Sequence, residues 1–255
     1  MKNILSAIRS LYIWSTVALL ILIWLPLLAI RRLCDRDPAH YATGFLFRKL
    51  GRAMTAVNSA WKIHISGETV LNPRNPYVVV SNHQSMADIP IISNLPWEMK
   101  WMAKKELFSL PIVGWMMRLA GDIRVDRRNA RSGAQALIKA QHFLALHCSV
   151  MIFPEGTRTT DGRLRPFTDG AFHLAVKTKT PVLPIALDGT MLCIPKHGWK
   201  FGEPSEIALI VLPPVETSSL TLDEVPALRE KVRTQIMQAV AARRNVPVDQ
   251  VDGKK

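Results

Sequence analysis

The sequence predicts an α/β fold: a largely parallel central sheet flanked by helices, joined to an N-terminal hydrophobic membrane-anchoring helical segment. Three observations predict it. Short apolar runs typical of buried strands alternate along the chain with stretches of helical periodicity, and helices of that length connect parallel strands. With 255 residues, 48% of them hydrophobic, the chain is long enough to bury a core. One uncharged run near the N-terminus is long enough to enter a membrane.

This uncharged run is the first element, and it covers residues 10–30, between Arg9 and Arg31. A helix of that length spans about 30 Å, the thickness of the hydrocarbon core of a bilayer. A cleaved signal peptide and a buried core helix are the alternatives. No small-x-small cleavage site precedes Arg31, and Trp14 and Trp24 without a polar face suit lipid better than a core. We therefore predict membrane association through 10–30.

The charges that flank this segment predict its orientation. Basic residues are more frequent after it than before it, which places the body of the protein in the cytoplasm, at the cytoplasmic (inner) membrane. Pro26 can kink a helix, so a helical hairpin seated in one leaflet is an alternative to a spanning helix. Residues 39–60 mix apolar and basic side chains, as an interfacial amphipathic helix or a helix packed on the domain does. Residues 1–60 are assigned to the membrane-anchoring segment.

The rest of the chain is predicted to form one α/β domain over 61–245, followed by a disordered tail over 246–255. Residues 61–66 alternate apolar and polar side chains, and residues 76–80 form an apolar run typical of a buried strand. The predicted strands cover 61–66, 76–80, 100–103, 122–126, 149–153, 182–187 and 207–212. The predicted helices cover 85–95 (short or broken at Pro90), 113–120, 130–147, 171–177 and 222–244.

Composition and charge restrict the class of protein. The apolar content excludes a disordered chain, a collagen and a disulfide-stapled secreted module. Cys34, Cys148 and Cys193 are too far apart for a disulfide framework or a metal motif, which indicates a reducing compartment. The net charge of +13 calls for an anionic partner, such as a phospholipid surface or a phosphorylated substrate. A membrane-tethered adaptor that binds nucleic acid is the non-enzymatic alternative, but the basic residues are dispersed and no such module is present.

Polar residues follow two of the predicted strands. In open α/β sheets, active and binding sites lie beyond the carboxyl ends of the strands, so these residues are candidates for a functional site. His83 comes just after the predicted strand 76–80, and Asp88 follows five residues later. A carboxylate that reaches one ring nitrogen fixes the tautomer and leaves the other nitrogen free to accept a proton. The spacing predicts a His–Asp dyad. A capping histidine and an aspartate favoured by the helix dipole are the structural alternative.

The second polar end follows the predicted strand 149–153. Gly156 permits a tight turn, Thr157 offers a hydroxyl, and Arg158 offers a planar guanidinium that matches phosphate. A Gly-Thr-Arg turn is by itself usually a loop. Here the Gly-Thr-Arg sequence follows a strand, and the chain is basic and also carries a His–Asp pair. In this context the sequence predicts a phosphate-binding turn. Five other histidines lack an aspartate at a useful spacing and are assigned core or surface roles: His64, His142, His147, His173 and His197.

These residues resemble the 1-acyl-sn-glycerol-3-phosphate acyltransferases, within the glycerophospholipid acyltransferase family. Asn82-His83 with Asp88 matches the N-H-x-x-x-x-D motif of the family. Three further blocks match in order and spacing, at 121–127, 153–158 and 182–186, and the resemblance covers about 60–215. Arg124 and Thr168-Asp169 depart from the usual pattern.

The resemblance implies an acyltransferase that moves an acyl group from acyl-CoA or acyl-carrier protein to the sn-2 hydroxyl of lysophosphatidate, giving phosphatidic acid. Glycerol 3-phosphate or another lysolipid is the alternative acceptor. Such an enzyme acts at a phospholipid membrane, without nucleic acid, cofactor or metal.

Roles for site residues follow from the same resemblance. His83 is expected to be the general base and Asp88 its orienting partner, in a direct transfer without an acyl-enzyme. A cysteine acyl-enzyme is the alternative mechanism. Asn82, or backbone N–H groups near it, is expected to stabilise the oxyanion, and Glu155 to orient Arg158 or the loop rather than to act on substrate. The residues expected to form the substrate-binding site, including the phosphate ligands and the turn, are Asn82, Lys104, Arg127, Glu155, Gly156, Thr157 and Arg158.

Overall fold

The computed structural model describes residues 2–194 and 198–253, and His197 therefore lies outside the described residues. In this part of the chain, seven strands form a single sheet in the order β1-β7-β6-β2-β5-β3-β4. The strands are β1 (Trp61–Gly67), β2 (Val78–Ser81), β3 (Met99–Lys104), β4 (Ile123–Val125), β5 (Ser149–Ile152), β6 (Val182–Asp188) and β7 (Ser205–Val211).

The sheet is mostly parallel, which confirms the predicted fold class. Strands β2 to β6 run in one direction, whereas β7 pairs antiparallel with β6 and parallel with β1. Helices cover both faces: α1 (Lys2–Cys34), α2 (Tyr41–Val57), α3 (Asp88–Ile92), α4 (Val113–Leu119), α5 (Ala130–Ala145), α6 (Gly170–Thr178) and α7 (Val225–Arg244). The helix predicted over 85–95 is thus confined to the five residues of α3.

Two apolar cores lie on opposite faces of the sheet, because successive strand side chains point to opposite sides. In the central strand β2, Val78 and Val80 belong to the core shared with α5, α6 and α7. Val79, between them, belongs to the core on the other face. All four β2 residues are buried, so the loop that follows this strand starts from a rigid support.

Helix α1 packs on the body of the protein along its length. Ile13 is buried in the second core, and Leu28 packs with Leu50 of α2 and Met116 of α4. The helix continues through Pro26, so it is one helix and not a hairpin. The opposite face exposes large apolar side chains: Ile4, Leu5, Ile8, Leu11, Tyr12, Leu19, Leu22, Ile23, Leu27, Ile30 and Leu33. By length and composition, Ile4–Cys34 could cross a membrane.

Helix α2 is attached to the sheet by buried charges. Arg48 is 4% exposed, and its guanidinium donates to Asp122 at 2.7 and 2.9 Å and to Glu98 at 3.3 Å. Lys100 of β3 completes the group with a 3.0 Å bond to Glu98. Gly44 permits this contact, since a Cβ there would lie 2.0 Å from a Glu98 carboxylate oxygen. Arg48 is therefore engaged inside the protein, which favours the alternative of a helix packed on the domain.

The prediction of a disordered tail over 246–255 is wrong for residues 246–253, which are ordered and contact the domain. A short 3-10 helix covers Val248–Gln250, Val251 is completely buried, and Asp252 forms an isolated parallel bridge with Leu164. One apolar side chain and a few backbone hydrogen bonds hold this segment against the domain, a signal too local for composition to reveal. Residues 254–255 lie outside the described residues.

Candidate active site

The predicted dyad forms at the carboxyl end of β2. The His83 Nδ1 and Asp88 Oδ2 atoms are 2.7 Å apart. The same Asp88 oxygen accepts the backbone N–H groups of Gln84 at 2.7 Å and Ser85 at 2.9 Å. Asp88 is completely buried, and the His83 side chain keeps 11% of its surface exposed. With Nδ1 facing a carboxylate, the histidine presents Nε2 to the outside.

The loop after β5 holds His83 from three directions. The Phe153 ring stacks on the imidazole with centroids 4.0 Å apart and planes 14° apart. The His83 backbone N–H donates to Glu155 Oε1 at 2.7 Å, and the His83 carbonyl accepts from the Thr159 N–H at 2.9 Å. The two polar strand ends predicted from the sequence therefore form one site.

Glu155 braces the loops that carry the dyad. Its Oε1 accepts from His83, and its Oε2 accepts the backbone N–H of Arg165 at 3.0 Å. Burial raises the pKa of this carboxyl to about 7, although both hydrogen bonds favour the ionised form. Glu155 was grouped with the substrate-binding residues but expected to orient Arg158 or the loop rather than to act on substrate. The structure places both of its oxygens on backbone N–H groups, so it orients the loop.

The raised pKa of Glu155 makes stability depend on pH. Between about pH 4.5 and 7 the unfolded chain loses this proton while the native protein keeps it, so the free energy of unfolding falls as the pH rises. We expect Glu155→Gln to abolish this decrease, which amounts to roughly 3 kcal/mol. Urea unfolding in detergent at pH 5 and pH 7.5 measures it. Glu203→Gln, at an exposed carboxyl, is the control, and an equal pH dependence in wild type and Glu155→Gln would contradict the prediction.

Asn82 is also engaged within the protein. Its side-chain N–H donates to the Leu187 carbonyl at 2.8 Å, and its Oδ1 accepts the Leu187 N–H at 2.8 Å. The residue is 1% exposed. The amide therefore ties the end of β2 to β6, and the predicted role of the Asn82 side chain as an oxyanion donor does not fit this geometry. Asn82 lies one residue beyond a central strand, where a side-chain amide can continue the hydrogen-bond ladder of the sheet. This position was the sequence signal for its structural role.

The predicted phosphate ligands differ in whether their charged groups already bind other residues of the protein. Gly156 has a φ of +71°, which turns the chain sharply after β5, and the Thr157 that follows is exposed. The Arg158 guanidinium forms neither an ion pair nor a hydrogen bond with any residue that the structure describes. Arg127 donates to the Gly156 carbonyl and so joins the same turn. Lys104 pairs instead with Glu106 at 3.5 Å.

An apolar cavity of about 380 Å³ lies between the N-terminal helices and the sheet. Trp101 of β3 lines it and contacts Phe153, with ring centroids 5.9 Å apart. Since Phe153 stacks on His83, the cavity lies next to the dyad. Its walls come from α1, α2, α3 and the loop before it, α4, β3 and the segment after β6. The lining residues include Ile13, Val17, Phe47, Leu50, Met54, Met86, Ile89, Met116, Ile194 and Phe201. Sequence reasoning missed the cavity, because its walls are far apart in the chain.

Among the described residues, Cys148, Cys193 and His64 do not form a second reactive centre. Burial raises the pKa of Cys148 to about 12 and that of Cys193 to about 11, so both thiols stay protonated at neutral pH. This disfavours the cysteine acyl-enzyme. His64 pairs with Glu206 at 2.8 Å on the surface. Within residues 2–194 and 198–253, no group of three or more His, Cys, Asp or Glu residues could hold a metal ion.

The fold and the site define an α/β protein with a histidine–carboxylate dyad, which is hydrogen-bonded to the loop that carries Arg158 and is linked through Phe153 and Trp101 to an apolar cavity. This arrangement suits acid–base chemistry. Residues 62–188 match the family model described as Acyltransferase. Together with the relatives below, this match shows that the chain belongs to the acyltransferase family, and it confirms the resemblance found in the motifs.

The relatives have names that agree with this assignment. The mouse "1-acyl-sn-glycerol-3-phosphate acyltransferase alpha" is 38% identical over 178 residues, which are 69% of this chain and 62% of that protein. A chloroplastic 1-acyl-sn-glycerol-3-phosphate acyltransferase of Brassica napus is 33% identical over 74% of this chain and 54% of its own. The chain thus covers less than two thirds of these curated relatives. The crystal structure of the 1-acyl-sn-glycerophosphate acyltransferase from Thermotoga maritima superposes with a TM-score of 0.81 at 27% identity, covering 96% of this chain and 98% of that one.

Proposed function

We propose that this protein transfers an acyl group from acyl-CoA or acyl-carrier protein to the sn-2 hydroxyl of 1-acylglycerol 3-phosphate, giving phosphatidic acid. The observation that carries the proposal is the His83–Asp88 pair, 2.7 Å apart, between the Arg158 turn and the apolar cavity. The names of the relatives support the same reaction. No cofactor or metal enters the proposal.

The dyad supplies the proton transfer of this reaction. Asp88 holds the proton on Nδ1, so Nε2 of His83 can accept the proton of the attacking hydroxyl. The hydroxyl oxygen then forms a bond to the thioester carbonyl carbon, and the carbon–sulfur bond breaks. The imidazolium returns its proton to the departing thiolate, so no acyl-enzyme forms.

The surroundings of the dyad suit both ends of a lysophosphatidate molecule. Arg158, which has no partner among the described residues, is proposed to bind the acceptor phosphate, and Arg127 holds the turn by its bond to Gly156. The apolar cavity is proposed to hold an acyl chain. Charge at one side and apolar volume at the other orient an amphipathic substrate across His83.

The proposal is tested by thioester-dependent acylation in detergent with lysophosphatidate, glycerol 3-phosphate and lysophosphatidylcholine as acceptors. Lysophosphatidate is expected to be the preferred acceptor. Transfer to one of the others in its place would keep the acyltransferase chemistry and change the substrate. No transfer to any acceptor from either donor would contradict the proposal.

Arg158→Ala is expected to raise the KM for lysophosphatidate about tenfold or more with a smaller effect on kcat, because a charge-assisted hydrogen bond to phosphate is lost. The matched control is Arg163→Ala, at an exposed arginine of the same loop. A second control is 1-acylglycerol, which has no phosphate and whose acylation should change little. Equal KM values for lysophosphatidate in wild type and Arg158→Ala would refute the assigned role.

We further propose that α1 lies in one leaflet of the cytoplasmic membrane, with the catalytic domain in the cytoplasm. Both halves of the helix contact the same body: the Arg9 guanidinium donates to the Phe201 carbonyl at 3.2 Å, and Leu28 packs on Leu50 and Met116. A continuous helix held against one body at both halves cannot place its ends on opposite sides of a bilayer. Its exposed apolar face is left for lipid. The division into an anchoring segment and a catalytic domain remains a prediction from the sequence.

Cysteine labelling distinguishes this arrangement from a spanning helix. Cys34 is exposed at the end of α1, whereas Cys148 and Cys193 are buried. In sealed vesicles with the cytoplasmic face outside, we expect an impermeant maleimide to label both wild type and Asn3→Cys/Cys34→Ser, which carries its cysteine at a polar position before the apolar run. Cys34→Ser alone is the unlabelled control. Labelling of Cys34 without labelling at position 3 would show that the helix crosses the bilayer.

A further inference from the structure

Arg233 of α7 is completely buried and lies outside the residues that match the family model. Its Nη2 donates to the Leu164 carbonyl at 2.8 Å and to Asp252 Oδ1 at 2.6 Å. Its Nε donates to the Arg165 carbonyl at 3.1 Å. A planar guanidinium can reach three acceptors in this way, whereas a lysine ammonium on a flexible stem cannot reproduce the arrangement. The buried charge is therefore directed at the loop that follows β5.

The C-terminal segment 246–253 holds the same loop from the other side. The Leu164 N–H donates to the Val251 carbonyl at 2.8 Å, and the Gly253 N–H donates to the Leu164 carbonyl at 2.9 Å. Leu164 and Val251 are 1% and 0% exposed. The Leu164 carbonyl thus accepts from both α7 and the C-terminal segment, so the loop is fixed at this residue.

A short series of contacts connects Leu164 to the dyad. The next residue, Arg165, donates its N–H to Glu155 Oε2, and Glu155 Oε1 accepts the His83 N–H. The loop between these points begins with Arg158, the proposed phosphate ligand, and contains Thr159, whose N–H donates to the His83 carbonyl. Any movement of the loop at Leu164 therefore reaches both the phosphate ligand and the general base.

We propose that Arg233 and the C-terminal segment 246–253 form a brace that positions the loop 156–168 for the acyltransferase reaction. Arg233 acts as a positioning residue through the Leu164 and Arg165 carbonyls, and Asp252 holds its guanidinium in place. This inference rests on the proposed function for its kinetic consequence, but the restraint on the loop is a property of the fold alone.

The kinetic test compares Asp252→Ala, Arg233→Lys and Arg233→Met in the full chain. Arg229→Met is the matched control, since Arg229 lies one turn earlier on α7 and pairs with Asp169 at the surface. We expect the KM for lysophosphatidate to rise about tenfold in Asp252→Ala and in Arg233→Lys, and not in the control. A merely structural role would lower the active fraction and leave KM unchanged. If Arg233→Met fails to fold, the two milder variants still decide.

Amide hydrogen exchange gives a readout that needs no substrate. In Asp252→Ala, the amides of Leu164 and Arg165 should exchange at least about tenfold faster than in wild type, while those of the central strands β2 and β5 keep their wild-type rates. Unchanged exchange over 156–168 together with an unchanged KM in folded Asp252→Ala and Arg233→Lys would overturn the brace. If the wild type does not acylate lysophosphatidate, the proposed function fails, and the exchange rates alone then confirm or refute the brace.

Discussion

His83→Ala is expected to lower kcat for acyl transfer to lysophosphatidate by about 10²–10⁴-fold, because the hydroxyl then attacks the thioester without a positioned base. The KM for lysophosphatidate should change much less, since phosphate and acyl chain are bound by other residues. The initial rate of phosphatidic acid formation, measured over a range of both substrates, separates the two effects.

The control for this variant is His173→Ala, which removes an exposed imidazole from α6. It should retain the wild-type rate, so loss of activity at position 83 cannot be attributed to loss of histidine in general. A His83→Ala protein that folds and acylates at more than a tenth of the wild-type rate would eliminate the general-base mechanism.

Asp88→Asn is expected to lower kcat by at least about 10²-fold. The amide keeps the size of the carboxyl and can still accept the N–H groups of Gln84 and Ser85, but it removes the charge that faces His83 Nδ1 at 2.7 Å. The imidazolium formed during the reaction is then no longer stabilised by a negative charge at Nδ1. Kinetics of purified protein together with thermal unfolding measure activity and fold separately.

Asp169→Asn provides the matched control for the carboxylate, because Asp169 pairs with Arg229 at the surface and not with a histidine. It should leave kcat unchanged. Wild-type turnover by Asp88→Asn would mean that the short contact to His83 has only a structural role.

The strands and helices could largely be predicted, since each depends on a local pattern. Val78–Ser81 and Ser149–Ile152 coincide with apolar runs, and the ends of α5 and α7 lie within a few residues of the predicted positions. The strand order could not be predicted. The placement of β7 between β1 and β6, antiparallel to β6, depends on pairing between residues that are 20 or more positions apart along the chain.

The site shows the same division between local and distant contacts. His83 and Asp88 could be paired from the sequence because they are five residues apart and share one loop. Asn82 was expected to stabilise the oxyanion and Glu155 to orient Arg158 or the loop, but their actual partners are backbone groups of segments distant in sequence. Glu155 binds His83, 72 residues away, and Asn82 binds Leu187, 105 residues away. No periodicity reveals such bonds. The same holds for Arg233, since one arginine among many on a basic helix carries no sign of burial.

The buried charges of Arg48, Glu98 and Asp122 have a consequence for how the protein can be handled. A chain shortened to begin at Trp61 would lose Arg48 and leave two carboxylates in an apolar interior with only Lys100 beside them. Removing one partner of such a group typically costs about 3–5 kcal/mol, a large part of the stability of a domain. Trimming the first two helices to obtain a detergent-free enzyme would therefore produce an unstable protein. We therefore expect the first two helices and the α/β body to unfold as one cooperative unit.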